Sequence, residues 1–363
     1  LAALGEGRKT LAAAGTHGKT TTSSMLATAI DSLGLSPTFV VGGIVDAYQT
    51  NAVSGTGSYY VVEADESDGS FLNLSPYVAL VTNIEADHLD HYAGGLEEIY
   101  DTFTRFMASV DEDGACVVCG EDEGLVKAAK ASGRRVVTYG FGDGFDISIR
   151  NLRTEGIATL FDLEFPDGTC ASCRLGSNPG RHNALNAAGV LGVVWVLGLD
   201  VTAAAQGLSS YSGVRRRFDL IGEAGGVTVV DDYAHHPTEI AATTAAAAAL
   251  GYRRVVVLFQ PHRYSRTQSL AAEFGSAFDA VDEVVLMDVY AAGEAPIEGV
   301  SGQTIADALA AHDGAPAVTY VENRDEVLGC VLSKVGEGDL LITMGAGDVT
   351  LFAPRAVEAL RSR

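Results

Sequence analysis

Short apolar runs ending in polar residues alternate along the chain with stretches whose apolar residues recur every three or four positions. Residues 9–14, 59–62, 78–82, 115–119 and 135–139 read as strands. The stretch 22–33 carries Met25, Leu26, Ala29, Ile30 and Leu33 at helical spacing, which predicts an amphipathic helix. From 146 to 174 the texture changes. Ile147, Ile149, Leu163 and Phe165 partly alternate with polar residues, and Pro166-Asp167-Gly168 signals a turn. That predicts a small antiparallel insert, followed by a helix over 183–199. Tyr211-Ser212-Gly213 then breaks the pattern. Runs at 227–230, 255–259, 283–287, 317–321 and 339–344, with helical stretches between, restart it. The expectation is α/β throughout: a domain over 1–212 with a central, mostly parallel sheet, and a Rossmann-like domain over 213–363.

Charge narrows the partners. Lys and Arg number 24 against 47 Asp and Glu, a formal charge of −23. Such a surface repels nucleic acid and anionic membranes, so neither nucleic-acid binding nor membrane insertion is expected. An anionic ligand would need a local cradle of cations or backbone N–H groups. The apolar stretches are far shorter than the ~20 residues of a membrane span. The five cysteines include two C-x-x-C pairs, Cys116/Cys119 and Cys170/Cys173. Each pair falls in a strand-like run, where positions i and i+3 face opposite ways, so the sulfurs read as buried thiols rather than zinc ligands. Together with the absence of a visible signal peptide, they fit a cytoplasmic protein.

The sharpest local signal is Gly15-Thr16-His17-Gly18-Lys19-Thr20-Thr21, set between a strand-like run and a helix. This is the context of a phosphate-binding loop. Backbone N–H groups at the helix start cradle anionic oxygens, Lys19 reaches β- and γ-phosphates, and the Thr20 hydroxyl suits Mg²⁺. The usual spacing would put the first Gly at 13, where this chain has Ala13. The run Glu63-Ala64-Asp65-Glu66-Ser67-Asp68 follows a strand. Acids at the carboxyl end of a parallel strand lie near such a loop, so Glu63 joins Thr20 as a first Mg²⁺ shell.

The compact G-T-H-G-K-T-T loop resembles that of the Mur ligases, which build the peptide stem of peptidoglycan. Further motifs carry the same likeness: Thr82-Asn83 with Asp87-His88-Leu89-Asp90, and Gly180-Arg181-His182-Asn183 with Asn186. Others are the triplet Arg215-Arg216-Arg217, Asp231-Asp232-Tyr233-Ala234-His235-His236-Pro237, and Pro261-His262-Arg263-Tyr264-Ser265-Arg266. The turn Met344-Gly345-Ala346-Gly347-Asp348 also matches and is given no chemistry. The likeness implies an ATP-dependent ligase of the branch that adds the first amino acid. ATP would phosphorylate the lactyl carboxylate of UDP-N-acetylmuramate, and L-alanine would attack the acyl-phosphate.

By this resemblance His88 would hold a second Mg²⁺, and Asn83 would contact the acidic substrate or its acyl-phosphate. Asn183 and Asn186 would approach adenine, Arg216 the phosphates and Asp232 the ribose. Tyr233 and His235 would border the amino-acid pocket, with Arg263 and Arg266 orienting its carboxylate or the phosphates. Sister enzymes carry a carbamylated Lys after the Asp-His motif. The stretch 100–110 here has Arg105 and no Lys, which leaves the completion of the second metal site open. The chain starts with Leu and reaches its phosphate loop at residue 15, so the family's uridine-nucleotide domain is expected to be missing. Three other readings stay open: a murein tripeptide recycling ligase, a folyl- or cyanophycin-type ligase, and a nucleotide-binding module without ligation. Oligomeric state is not legible.

Overall fold

The computed structural model describes residues 1–67, 69–86, 92 and 94–362. It divides into two compact units, Leu1–Arg215 and Arg216–Arg363. The division falls just after the sequence-based boundary because the intervening residues are strapped to the first unit. Val214 bridges to Val45, and the Arg215 N–H donates to the Ile44 carbonyl at 3.0 Å.

The first unit is one ten-stranded sheet among the described residues. Its strands are β1 (Lys9–Ala14), β2 (Thr38–Val45), β3 (Thr50–Val53), β4 (Tyr59–Glu63), β5 (Val78–Val81), β6 (Ala115–Cys119), β7 (Val136–Phe141), β8 (Ile147–Glu155), β9 (Ala158–Glu164) and β10 (Cys170–Leu175). Their spatial order is β10-β9-β8-β7-β6-β5-β1-β4-β2-β3. Pairing is parallel from β2 through β8; β3, β9 and β10 pair antiparallel at the two margins. The expected antiparallel insert therefore exists, and it extends the main sheet through β8 alongside β7.

The helices are α1 (Lys19–Ser32), α2 (Gly95–Ala108), α3 (Glu123–Ala131), α4 (Arg181–Val196) and α5 (Val201–Gly207). The amphipathic pattern expected of α1 is not what the fold uses. Every residue from Thr21 to Ile30 is buried, because α1 packs on the sheet and also against α4 and α5. A helix covered on all sides has no polar face to keep, and its threonines and serines bond inward to its own carbonyls. The thiols follow strand position. Cys116 and Cys119 on the central β6 are both buried, whereas Cys170 is exposed and Cys173 buried. The expectation of buried thiols fails at Cys170 because the outermost β10 shows one face to solvent.

The second unit has six strands: β11 (Asp219–Ala224), β12 (Val227–Asp232), β13 (Val255–Phe259), β14 (Glu283–Met287), β15 (Ala317–Val321) and β16 (Leu340–Met344). Their order is β11-β12-β16-β13-β14-β15, all parallel except β11. Its helices are α6 (Pro237–Ala248), α7 (Tyr264–Ser269), α8 (Ala271–Phe274), α9 (Gly302–Ala310), α10 (Arg324–Lys334) and α11 (Phe352–Arg361). Two buried clusters, one on each face of the sheet, hold it: Ile240, Phe259 and Phe278 belong to one, Val229, Leu258 and Phe352 to the other.

Candidate active site

Topology brings the first group of side chains together. β1 lies between β4 and β5, with Ala13 level with Glu63 and Ala14 level with Val81. The loop leaving β1 is thus flanked by Glu63 on one side and Thr82-Asn83 on the other. Loop residue Gly18 caps α1 at φ 85°, a left-handed conformation that favours glycine. No side chain caps α1, so its first N–H groups face the loop without an intrahelical acceptor.

The loop is held mainly through its backbone. The Asn83 amide is spent on His17: the His17 N–H donates to Oδ1 at 2.8 Å, and Nδ2 donates to the His17 carbonyl at 3.0 Å. Thr82 Oγ1 donates to the same carbonyl at 2.6 Å. The Thr16 N–H donates to the Asn83 carbonyl at 3.0 Å, and the Glu85 N–H to Thr16 Oγ1 at 2.8 Å. The His17 ring lies 3.3 Å from a Glu85 carboxylate oxygen. Asp122 fixes the strand end behind, accepting from the Ile84 N–H and capping α3 through the Leu125 N–H.

Lys19 Nζ donates to the Gly15 carbonyl at 2.8 Å, the Thr16 carbonyl at 3.1 Å and Glu66 Oε1 at 2.9 Å, with Oε2 at 2.8 Å. Glu66 is almost fully buried. Burial pushes its carboxyl pKa up, against the pull of the Lys19 charge. Thr20 Oγ1 donates to Glu63 Oε1 at 2.8 Å; Glu63 Oε2 accepts from the Gly42 N–H at 2.5 Å and from Ser23 Oγ at 3.4 Å. This is a hydroxyl and carboxylate oxygen set, the donor chemistry that suits a hard cation such as Mg²⁺. Asn183 and Asn186 are buried on the first turns of α4. Asn183 Nδ2 donates to the Pro179 carbonyl at 2.9 Å, and Asn186 Nδ2 to Asn183 Oδ1 at 3.4 Å. The Asn186 amide stands against Gly18. His88 lies outside the described residues.

A second cluster gathers at the carboxyl ends of β12, β16 and β13. Buried Asp231 accepts from Thr343 Oγ1 at 2.5 Å, Thr350 Oγ1 at 2.8 Å and Arg216 Nε at 3.3 Å. Arg216 Nη2 donates to the Gly345 and Gly347 carbonyls at 2.5 and 3.1 Å. The glycine-rich turn after β16 thus anchors the arginine. Asp232 accepts from the Phe218 and Ala234 N–H groups, each at 2.8 Å, and burial pushes its pKa up to about 6.

Beside them runs a row of rings. The Tyr233 and His235 centroids are 5.4 Å apart, His235 and His262 5.7 Å, and His262 stacks on Tyr290 at 5.7 Å. Arg216 lies over Tyr233, and Arg266 Nη1 is 3.5 Å from His262 Nδ1. Burial pulls both imidazoles down to about 4, so both are neutral at pH 7. Glu239 binds the row from below, with Oε2 3.4 Å from His235 Nδ1 and Oε1 3.6 Å from Arg217. Arg263 sits at φ 71°, its N–H donating to the Tyr290 carbonyl at 2.9 Å.

Sequence reasoning missed three of these residues. Glu66 was visible in the acidic run, but only the fold shows that it, and not Glu63, meets Lys19. Glu239 had a local signal, three residues after the His236 helix cap. Tyr290 had none.

A phosphate-loop unit followed by a parallel α/β unit, each with polar clusters at strand carboxyl ends, defines a nucleotide-dependent enzyme class. Residues 13–194 match the Mur ligase middle domain, and residues 216–347 match the Mur ligase glutamate ligase domain. The chain is 47% identical to a UDP-N-acetylmuramate–L-alanine ligase of Thermobifida fusca, over 99% of this chain and 77% of the relative. It is 46% identical to the enzyme of that name from Geobacter sulfurreducens, over 93% and 73%. A crystal structure of the UDP-N-acetylmuramate–alanine ligase of Thermotoga maritima superposes with a TM-score of 0.82 at 30% identity, covering 98% of this chain and 76% of that one. The chain belongs to the Mur ligase family.

Proposed function

We propose that this chain carries the ATP-dependent ligation of L-alanine to the lactyl carboxylate of UDP-N-acetylmuramate, in the cytoplasmic synthesis of peptidoglycan precursor. The observation that carries the reading is that one phosphate loop carries both the Lys19 ammonium, bonded to the Gly15 carbonyl, and the Thr20–Glu63 oxygen pair. The choice of L-alanine draws on relatives of that name at 46–47% identity.

The residues divide the work as follows. Gly15 to Thr21 and the start of α1 hold the ATP phosphates through backbone N–H groups and Lys19. Thr20 and Glu63, with His88, would hold Mg²⁺, which when bound neutralises phosphate charge. Asn183 and Asn186 serve the base, Asp232 the ribose, and Arg216 the phosphates. Asn83 holds the loop in register from the acceptor side. Neutral His235, with Tyr233, forms a pocket wall that does not repel an incoming ammonium, and Arg263 and Arg266 attract the carboxylate of the amino acid. No protein nucleophile is required, because phosphoryl transfer makes the leaving group; positioning and charge stabilisation supply most of the acceleration.

The test follows ADP release by the full-length natural protein with Mg-ATP and UDP-N-acetylmuramate. L-alanine and the L-Ala-γ-D-Glu-diamino acid tripeptide are offered separately. Release with L-alanine, abolished by Lys19→Ala, is the expected outcome. Release with the tripeptide alone assigns the recycling reaction, and release with neither overturns ligation.

A further inference from the structure

Lys19 has three N–H bonds to give, and the fold uses all three: on the Gly15 carbonyl, the Thr16 carbonyl and Glu66. The first two acceptors belong to the loop itself. Glu66 comes from the segment after β4 and is fixed independently of the lysine. Its carbonyl accepts from the Gly69 N–H at 3.0 Å and from the Tyr92 hydroxyl. Its side chain is 3% exposed and that of Lys19 13% exposed, so water screens the pair poorly. A phosphate oxygen can bind this ammonium only by taking the place of one present acceptor.

We infer that Glu66 is the positioning residue of the phosphate-loop lysine, a fixed internal anion that aims the Lys19 ammonium and competes with the ATP phosphates for it. The inference rests on the reading of residues 15–21 as the ATP loop. It separates two effects that a simple phosphate-binding lysine would merge. The carboxylate weakens nucleotide binding, because it opposes a second anion at the same cation. It speeds turnover, because it keeps the long, flexible lysine in one place.

Glu66→Gln keeps the shape and removes the charge. Fluorescence or calorimetric titration should show Mg-ADP binding about threefold to tenfold tighter than in the natural protein. In the same variant kcat for ADP release should fall at least about tenfold. A merely structural role loses binding together with turnover; that outcome overturns the inference, as does a kcat within twofold of the natural enzyme. Glu66→Asp keeps the charge one methylene back and is the rescue arm. It should restore ADP affinity to within twofold of natural while kcat stays reduced, and it stands alone as the test if the Gln variant fails to fold. For Glu66→Asp, affinity falling together with kcat overturns the inference. The ADP titrations need no acceptor substrate. If the natural protein fails to respond to L-alanine, the proposed ligation fails while the binding half of this test still reads out.

Discussion

The two units build their polar sites by different means. In the first, the loop is set by hydrogen bonds between side chains and main chain: strand-end Asn83 and Thr82 with His17, and Lys19 at the start of α1 with Gly15 and Thr16. In the second, side chains act on one another: buried Asp231 with two hydroxyls and a guanidinium, and four rings in a row from half-buried Tyr233 to exposed Tyr290. A backbone cradle depends on chain geometry, tolerates neighbours and loses function when its single cation goes. A side-chain network depends on every partner and loses stability when one is removed.

The sharpest break between the two is Lys19→Ala. It should lower ADP release at least about a thousandfold, roughly 4 kcal/mol in the barrier, and leave most of the fold intact. Asp231→Ala is the counterpart in the second unit. It takes the shared acceptor from buried Thr343 and from half-buried Arg216 and Thr350 and should cost about 3 kcal/mol, read as a lower urea midpoint. Asn83→Ala tests whether the loop needs its strap. Two hydrogen bonds to His17 vanish while Thr82 remains, so nucleotide affinity should fall about tenfold for a stability loss of about 1 kcal/mol.

The smallest effect is a pH dependence confined to the second unit. His235 and His262 are held to about 4 in the fold, below the ordinary 6.5, so the unfolded chain binds more protons between those values. Stability from this source is full above about 6.5 and is lost as pH falls toward 4. Asp232 acts in the opposite sense: with its pKa raised to about 6, it favours the folded state as pH falls from about 6 toward 3.8. Asp231, also raised by burial, adds to the aspartate side, and the two histidines by themselves contribute a loss of stability on acidification, on the order of 1 kcal/mol across the window. Urea midpoints at pH 7 and 5 measure it. Replacing His235 with Gln should flatten the slope, and an unchanged slope would show that the ring does not report on burial.

The same contrast decides what the sequence revealed. Five strands fall where the sequence places them to the residue: 9–14, 115–119, 255–259, 283–287 and 317–321. The buried parallel ones are short, mainly apolar runs, while 317–321 is a half-buried edge strand that still reads from its Val and Tyr. The exposed edge strands β3 and β11 gave no such run. β2 is broken by Gly42-Gly43 and was not recognised. The phosphate loop was legible because its chemistry is local, seven residues running from the end of β1 into the first turn of α1. The pairing of Lys19 with Glu66, 47 positions away, depends on β1 and β4 lying side by side. No spacing rule reports that, and the stacking of Tyr290 on His262 is equally a product of the fold.

The break in β2 has a consequence of its own. The Gly42 N–H meets the Glu63 carboxylate, and the next residues run along the 213–215 segment that leads out of the first unit. At Gly43 an added β-carbon would stand 2.5 Å from Val214 Cγ1 and 3.1 Å from Thr20 Cγ2. Gly42 and Gly43 thus leave bare main chain between the Glu63 carboxylate and the exit segment, with the side chains of Val214 and Thr20 closing on it from outside. A single methyl at position 43 would press on Val214 and on the Thr20 methyl at once, coupling the exit segment to the residue whose hydroxyl binds Glu63.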